Sequence, residues 1–207
     1  MSTVTEKATP GRPPLRSHEE TIDLLVSAAV EEYRRSGYAK SAMGAIAKRA
    51  GMSLRTLYKI VTDKEALFRI AAERRIAKHI LSLDVHSASL SSAPKQALMS
   101  LTRAYAHQVL NHETLLTTKL VIAESDQFPE LGQAFLESTG RIAKAFDHNF
   151  SLIAANGKLD ISDDQIELLR LILIGSQRSA ILSPDKPYSS QEIEQLADRA
   201  LNLILGE

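Results

Sequence analysis

Arg55, Thr56, Tyr58, Lys59 and Lys64 crowd into one stretch, SLRTLYKIVTDKEALF, from Ser53 to Phe68. These side-chain types suit nucleic acid. Arginine meets the O6 and N7 of guanine with two parallel hydrogen bonds, threonine bonds a base edge or touches a thymine methyl, and tyrosine and lysine suit phosphate oxygens. Local charge agrees: the 30 residues from Tyr33 to Thr62 carry seven basic side chains (Arg34, Arg35, Lys40, Lys48, Arg49, Arg55, Lys59) and no acid. The chain average hides this, because 25 Lys+Arg balance 25 Asp+Glu. Residues 1–75 hold 14 basic against 9 acidic groups, which leaves 11 against 16 for the rest. The acidic balance of the second part faintly favours a cationic ligand there, although a solvated acidic surface is the readier explanation.

Other chemistries are poorly served. With no cysteine, disulfides and thiolate chemistry are excluded and a reducing cytoplasm is the expected compartment. The six histidines offer no ligand spacing, since His107 and His112, five apart, fall on different faces of a helix. Asp163 and Asp164 fit the first turn of a helix, where the dipole favours acids. There is no glycine-rich phosphate loop and no G-x-S-x-G elbow. No enzyme activity, metal or cofactor is therefore expected. MSTVTEKATPGRPPLR lacks the apolar core of a signal peptide. The run LLRLILIG is too short, and is broken by Arg170, so no membrane association is expected.

The DNA-type residues need elements that hold them outward. Residues 1–17 lack apolar periodicity and read as a disordered basic arm. Ile22, Leu25, Val26, Ala29, Val30 and Tyr33 recur at helical spacing from Glu19 to Ser36, with Gly37 as the stop. Ser41 is placed to cap a short helix whose inward face is Met43, Ile46, Ala47 and Ala50, ended by Gly51. Ser53 caps a third helix to about Lys59, and Asp63 a fourth. Further helices open at Pro94, about Thr114 and Pro129, the last closed by Asn156-Gly157. SDDQ at 162–165 and SSQE at 189–192 have capping-box spacing. The expectation is an all-α chain, with a three-helix unit over 18–64 and a larger helical unit over 65–207.

Two short helices joined at a glycine have the geometry of a helix-turn-helix. Ala47, four residues before Gly51, offers a small side chain where the helices approach, and Leu57, six beyond it, points inward. That leaves Arg55, Thr56, Tyr58 and Lys59 facing out on a helix that fits the major groove. Lys64 and the free N–H groups after Asp63 could clamp a phosphate. Ser41 and Ser53, at the helix starts, complete the candidate contacts. In PGRPPLR, Arg12 has the form of a minor-groove arm, although a plain solubilising tail is the readier reading.

Around these residues the sequence AIAKRAGMSLRTLYKIVTDKEALF, preceded by SAAVEEYRRSGY, resembles the N-terminal domain of TetR-family transcriptional regulators. The likeness runs from Ile22 to Phe68 and includes Gly37-Tyr38, Ile46-Ala47, Gly51, Thr56-Leu57-Tyr58 and Lys64-Glu65. Val61 departs from it, standing where an aromatic is usual, and Gly44 and Ala45 replace commonly charged residues. LTTKLVIAESDQFPELGQAFLESTG is similar to a ligand-domain segment of a subgroup related to multidrug-efflux repressors. The resemblance implies a homodimer on a double-stranded DNA operator, and a C-terminal body that dimerises and binds a small-molecule effector, so that the protein is a ligand-released repressor. A DNA-binding dimer without an effector is the alternative. Helix placement nominates Tyr105, His107, Thr118, Phe128, Phe146, Asn149 and Gln177 for the ligand site. The last two helices are apolar on nearly all sides. Either they lie at the centre of their own domain, or they pair with a twin through Ile166, Leu169, Ile172, Leu173 and Leu201.

Overall fold

The computed structural model describes residues 16–88, 93–183 and 187–206, with side chains of 85–88 left aside. Arg12 and the rest of the arm lie outside the described residues. The described chain is helical without strands: α1 (His18–Lys40), α2 (Met43–Arg49), α3 (Leu54–Leu57), α4 (Lys64–Ala88), α5 (Pro94–Leu110), α6 (His112–Glu124), α7 (Pro129–Asn156), α8 (Asp163–Leu182) and α9 (Ser190–Leu205).

Helix starts follow local chemistry. Both expected capping boxes form, Ser162 with Gln165 and Ser189 with Glu192. A third, Ser17 with Glu20, starts α1 one residue before the expected Glu19. Asn111 caps α6 by accepting from the Thr114 N–H at 2.8 Å, so that helix begins at His112 instead of Thr114. Ser41 is not the cap of α2. That position belongs to Ala42, which makes no side-chain bond, while the buried Ser41 hydroxyl donates back to the Tyr38 carbonyl at 2.7 Å.

Two glycines have different reasons for being glycine. Gly37 breaks α1 at φ 76°, and a Cβ there would come within 2.8 Å of Glu124 Oε1. Gly157 closes α7 with an ordinary φ of −82°. The left-handed residue is its neighbour Lys158, at φ 53°. Gly157 serves close approach instead: an added Cβ would lie 2.4 Å from Pro94 Cβ at the start of α5.

Two cores share α4. Leu67 and Phe68 belong with α1, α2 and α3, whereas Ile76 and Leu83 belong to the body. The head core is closed from below by Val121, Leu131 and Ala134 of α6 and α7. In the body the innermost helix is α5, which buries Leu98, Leu101, Tyr105, Ala106 and Leu110. Of the two arrangements expected for α8 and α9, these side chains follow the first, so as pairing residues they are corrected: Ile166, Leu169, Leu173 and Leu201 are sealed in the chain's own core, at most 2% exposed, and Ile172 is half-buried against it. Apolar side chains left outside on these helices include Leu168 (54% exposed), Leu171 (52%) and Leu203 (69%). On a helix an offset of one residue turns the side chain by about 100°, enough to exchange core for surface.

Candidate nucleic-acid interface and cavity

The turn between α2 and α3 is built from small and left-handed backbone. Gly51 takes φ 66°, and Met52 N donates to Ala47 O at 3.0 Å, folding the chain back over the end of α2. Ile46, Ala47 and Leu57 are buried, and so is Val61, which fills the end of the unit without an aromatic ring. Ser53 Oγ caps α3 by accepting from Thr56 N at 3.1 Å and shares a 2.8 Å hydrogen bond with Thr56 Oγ1. The two hydroxyls are thus tied together at the exposed start of α3.

With Leu57 and Val61 inside, Arg55, Thr56, Tyr58 and Lys59 are exposed on the opposite side of α3 and the turn that prolongs it. Leu54, 43% exposed, shares that surface. Of the seven cations between Tyr33 and Thr62, Arg34 pairs with Glu31 at 2.8 Å and Arg49 with Glu32 at 3.2 Å. Arg35, Lys40, Lys48, Arg55 and Lys59 make no ion pair among the described residues and are all exposed. The surface can therefore attract a polyanion without first breaking internal pairs.

Lys64 is placed otherwise than expected. Its ammonium turns inward and donates to the carbonyls of Tyr38 (2.6 Å), Ala39 (3.2 Å) and Ser41 (3.3 Å). It also lies 4.4 Å from the Tyr38 ring centre, with Phe128 beyond at 5.9 Å. Burial lowers its pKa, opposed by the Glu124 charge. Lys64 thus caps the carboxyl end of α1 instead of clamping phosphate. Asp63 Oδ1 likewise takes the Ala66 N–H at 2.7 Å, and that bond keeps its carboxyl below the usual range. The anion site expected there is already filled from within.

The body holds a cavity of about 410 Å³ walled by α4 to α8. Of the nominated ligand residues, Tyr105 and Gln177 line it. Gln177 Nε2 donates to Val109 O at 2.6 Å. Burial pushes the Tyr105 phenol up to about 12, so it stays a neutral hydroxyl. The other nominees sit elsewhere. Phe146 is core, its ring 4.4 Å from that of Tyr105. Buried Asn149 donates to Asp84 at 2.9 Å, and Thr118 to Thr114 O at 2.9 Å. His107 lies in an outer groove, 3.6 Å from Glu194. Phe128 packs edge-on to Tyr38 at 5.1 Å, in the joint between head and body.

The cavity's polar wall comes from residues that sequence periodicity did not single out: Arg75 and His79 on α4, Gln108 on α5, Thr114 on α6 and Arg170 on α8. Arg170 Nε is paired with Asp147 at 2.6 Å. Burial pushes the Asp147 carboxyl up, against the Arg170 charge. The available signal for Arg75 and His79 was weak: a cation and an imidazole four residues apart on a helix that elsewhere turns Ile76 and Leu83 inward. Among the described residues no group of His, Asp and Glu could hold a metal, and no helix is long and apolar enough to cross a membrane.

Residues 25–71 match the profile of bacterial regulatory proteins of the tetR family. Residues 96–207 match that of the C-terminal domain of AefR-like transcriptional repressors. Among solved structures, the fold is similar to that of a Mesorhizobium loti protein assigned as a TetR-family transcriptional regulator. It is 24% identical, with 92% of this chain and 98% of that one covered, at a TM-score of 0.77. The regulator FadR from Bacillus subtilis, solved in complex with stearoyl-CoA, is 20% identical over 88% of this chain and 97% of its own, at a TM-score of 0.66. The flavonoid-responsive regulator FrrA is 25% identical over 91% and 96%, at a TM-score of 0.63. No curated protein matches the chain.

Proposed function

The chain belongs to the TetR family of bacterial transcriptional regulators, a DNA-binding family, and from that premise we propose that it is a cytoplasmic homodimeric repressor released from its operator by a small organic effector. The observation that carries the DNA half is the exposed row of Arg55, Thr56, Tyr58 and Lys59 over buried Leu57, flanked by unpaired cations. Two such helices enter successive major grooves when a two-fold dimer holds them about 34–36 Å apart. The exposed apolar side chains Leu168, Leu171 and Leu203 on α8 and α9 supply the pairing face. Charging it, as in Leu171→Glu, yields monomers in sedimentation and costs the cooperative grip on a two-half-site operator; intact dimers would move the interface elsewhere.

Effector control rests on α4. Arg75 and His79 of this helix line the cavity, and Lys64, Leu67 and Phe68 of the same helix hold α1 and the head core. The eleven helical steps from Lys64 to Arg75 span roughly 16 Å at 1.5 Å per step. A ligand that draws α4 toward the body therefore moves the head. It acts only through its different affinity for the operator-competent and released forms, typically about 1–3 kcal/mol. FrrA responds to flavonoids and FadR was solved with stearoyl-CoA, which supports an organic effector over control by a protein partner. Selection of bound sequences from a random DNA pool by the purified protein, at near-physiological salt, tests the reading. An enriched near-palindrome is expected; binding at low salt with nothing enriched would leave only phosphate contacts.

A further inference from the structure

Within the cavity the charges are not balanced. Arg170 has its carboxylate in Asp147. Arg75 has none: Nη2 donates to Thr114 Oγ1 at 3.0 Å, Nε reaches His79 Nε2 at 3.4 Å, and Nη1 bonds no group among the described residues. The acid whose charge reaches it, Glu113, makes no ion pair with it, and burial lowers the pKa of the guanidinium. Guanidinium stays protonated even so. His79 adds no second charge, because burial beside Arg75 and Lys78 pushes its pKa down to about 4. A largely buried cation without an ion-paired carboxylate is a costly arrangement, and a bound anion relieves it.

The rest of the wall defines the remainder of the ligand. Phe135, Leu136, Ile142, Ala143 and Ile174 give an apolar surface. Gln108 Nε2 is taken by the His79 carbonyl at 3.0 Å, which leaves its buried Oε1 without a donor. We infer that the cavity takes an amphipathic organic monoanion, with one oxyanion head seated on Arg75 and Thr114 and an apolar body against α7 and α8. This rests on the reading of the cavity as the effector site. A cationic ligand, which the acidic balance of the body could have suggested, meets the guanidinium. A polyphosphate leaves most of its charge against apolar wall, since the site offers one unpaired cation.

Two fluorescent probes that share the N-phenylnaphthylamine skeleton and differ by one sulfonate group test this on the full-length protein: 8-anilinonaphthalene-1-sulfonate and neutral N-phenyl-1-naphthylamine. The sulfonate is expected to bind about tenfold or more tightly than the neutral probe, as a charge-assisted pair at Arg75 requires. In Arg75→Gln that preference vanishes while the neutral probe still binds. Gly140 lines the cavity, and a Cβ there meets nothing within 4 Å. Gly140→Leu therefore fills the space with a better helix former and excludes both probes. Equal affinities in the unaltered protein, absence of sulfonate binding, or a preference untouched by Arg75→Gln overturns the anion assignment. If Gly140→Leu nevertheless excludes the neutral probe, the cavity reading survives that failure. If Gly140→Leu leaves both probes bound, they sit elsewhere and the cavity reading falls as well.

Discussion

The head and the body place their working groups in opposite directions. In the head, Ile46, Ala47 and Leu57 turn inward so that Arg55, Thr56, Tyr58 and Lys59 face solvent. In the body, Arg75, His79, Gln108 and Gln177 from three helices face one another round a cavity. An outward row on one short helix is fixed by periodicity within about a dozen residues. An inward ring depends on which helices come together and at what rotation, and that is decided by packing over the whole body. The difference separates an outward, cation-rich surface from an inward-facing, enclosed set of polar groups.

Phe146→Ala removes a fully buried ring packed on Tyr105 and Phe150. It should cost about 3–5 kcal/mol in urea denaturation. Because Val121, Leu131 and Ala134 of the body close the head core, the head and body should still unfold in one transition. Two separate transitions would break the comparison by showing a head that stands alone.

Lys64→Met sharpens it from the other side. Losing the ammonium that bonds three carbonyls at the end of α1 and its cap should lower stability by about 1–2 kcal/mol, with the salt slope of DNA binding unchanged. A slope reduced by about one unit would return Lys64 to a phosphate.

A third test is the pH response of the cavity. His79 is depressed from 6.5 to about 4, so below pH 6.5 the unfolded chain binds a proton that the folded chain refuses. Its contribution to stability is complete above 6.5 and is lost as pH falls toward 4. His79→Gln should flatten this part of the stability profile, measured by melting temperature between pH 7 and 4.5.

The same contrast explains what the sequence discloses. Ser162, Ser189, Pro94 and Pro129 mark helix starts through contacts within a single turn, and the structure has helices there. The Ala47–Gly51–Leu57 spacing is local in the same sense. Leu168 and Leu169 are indistinguishable by type, yet one is 54% exposed and the other 0%. Only the rotation of α8 against α5 and α9 separates them. Lys64 has the composition of a phosphate ligand, and its inward turn depends on the break at Gly37, which brings the Tyr38 carbonyl and ring within reach. Of the cavity groups, Tyr105 and Gln177 follow from helix position, while Arg75 has the sequence context of a solvated face.

The central claim is that the head reads sequence with its outward row. The most direct measurement is titration of an enriched operator and its single-base variants, across a salt series, with the unaltered protein, Arg55→Ala and Lys59→Ala. The account predicts that Arg55→Ala loses about 1–3 kcal/mol of discrimination at one base pair in each half-site. Lys59→Ala should weaken all sequences alike and reduce the salt slope by about one unit for each phosphate left without its cation. An Arg55→Ala protein that keeps its full sequence preference would contradict it.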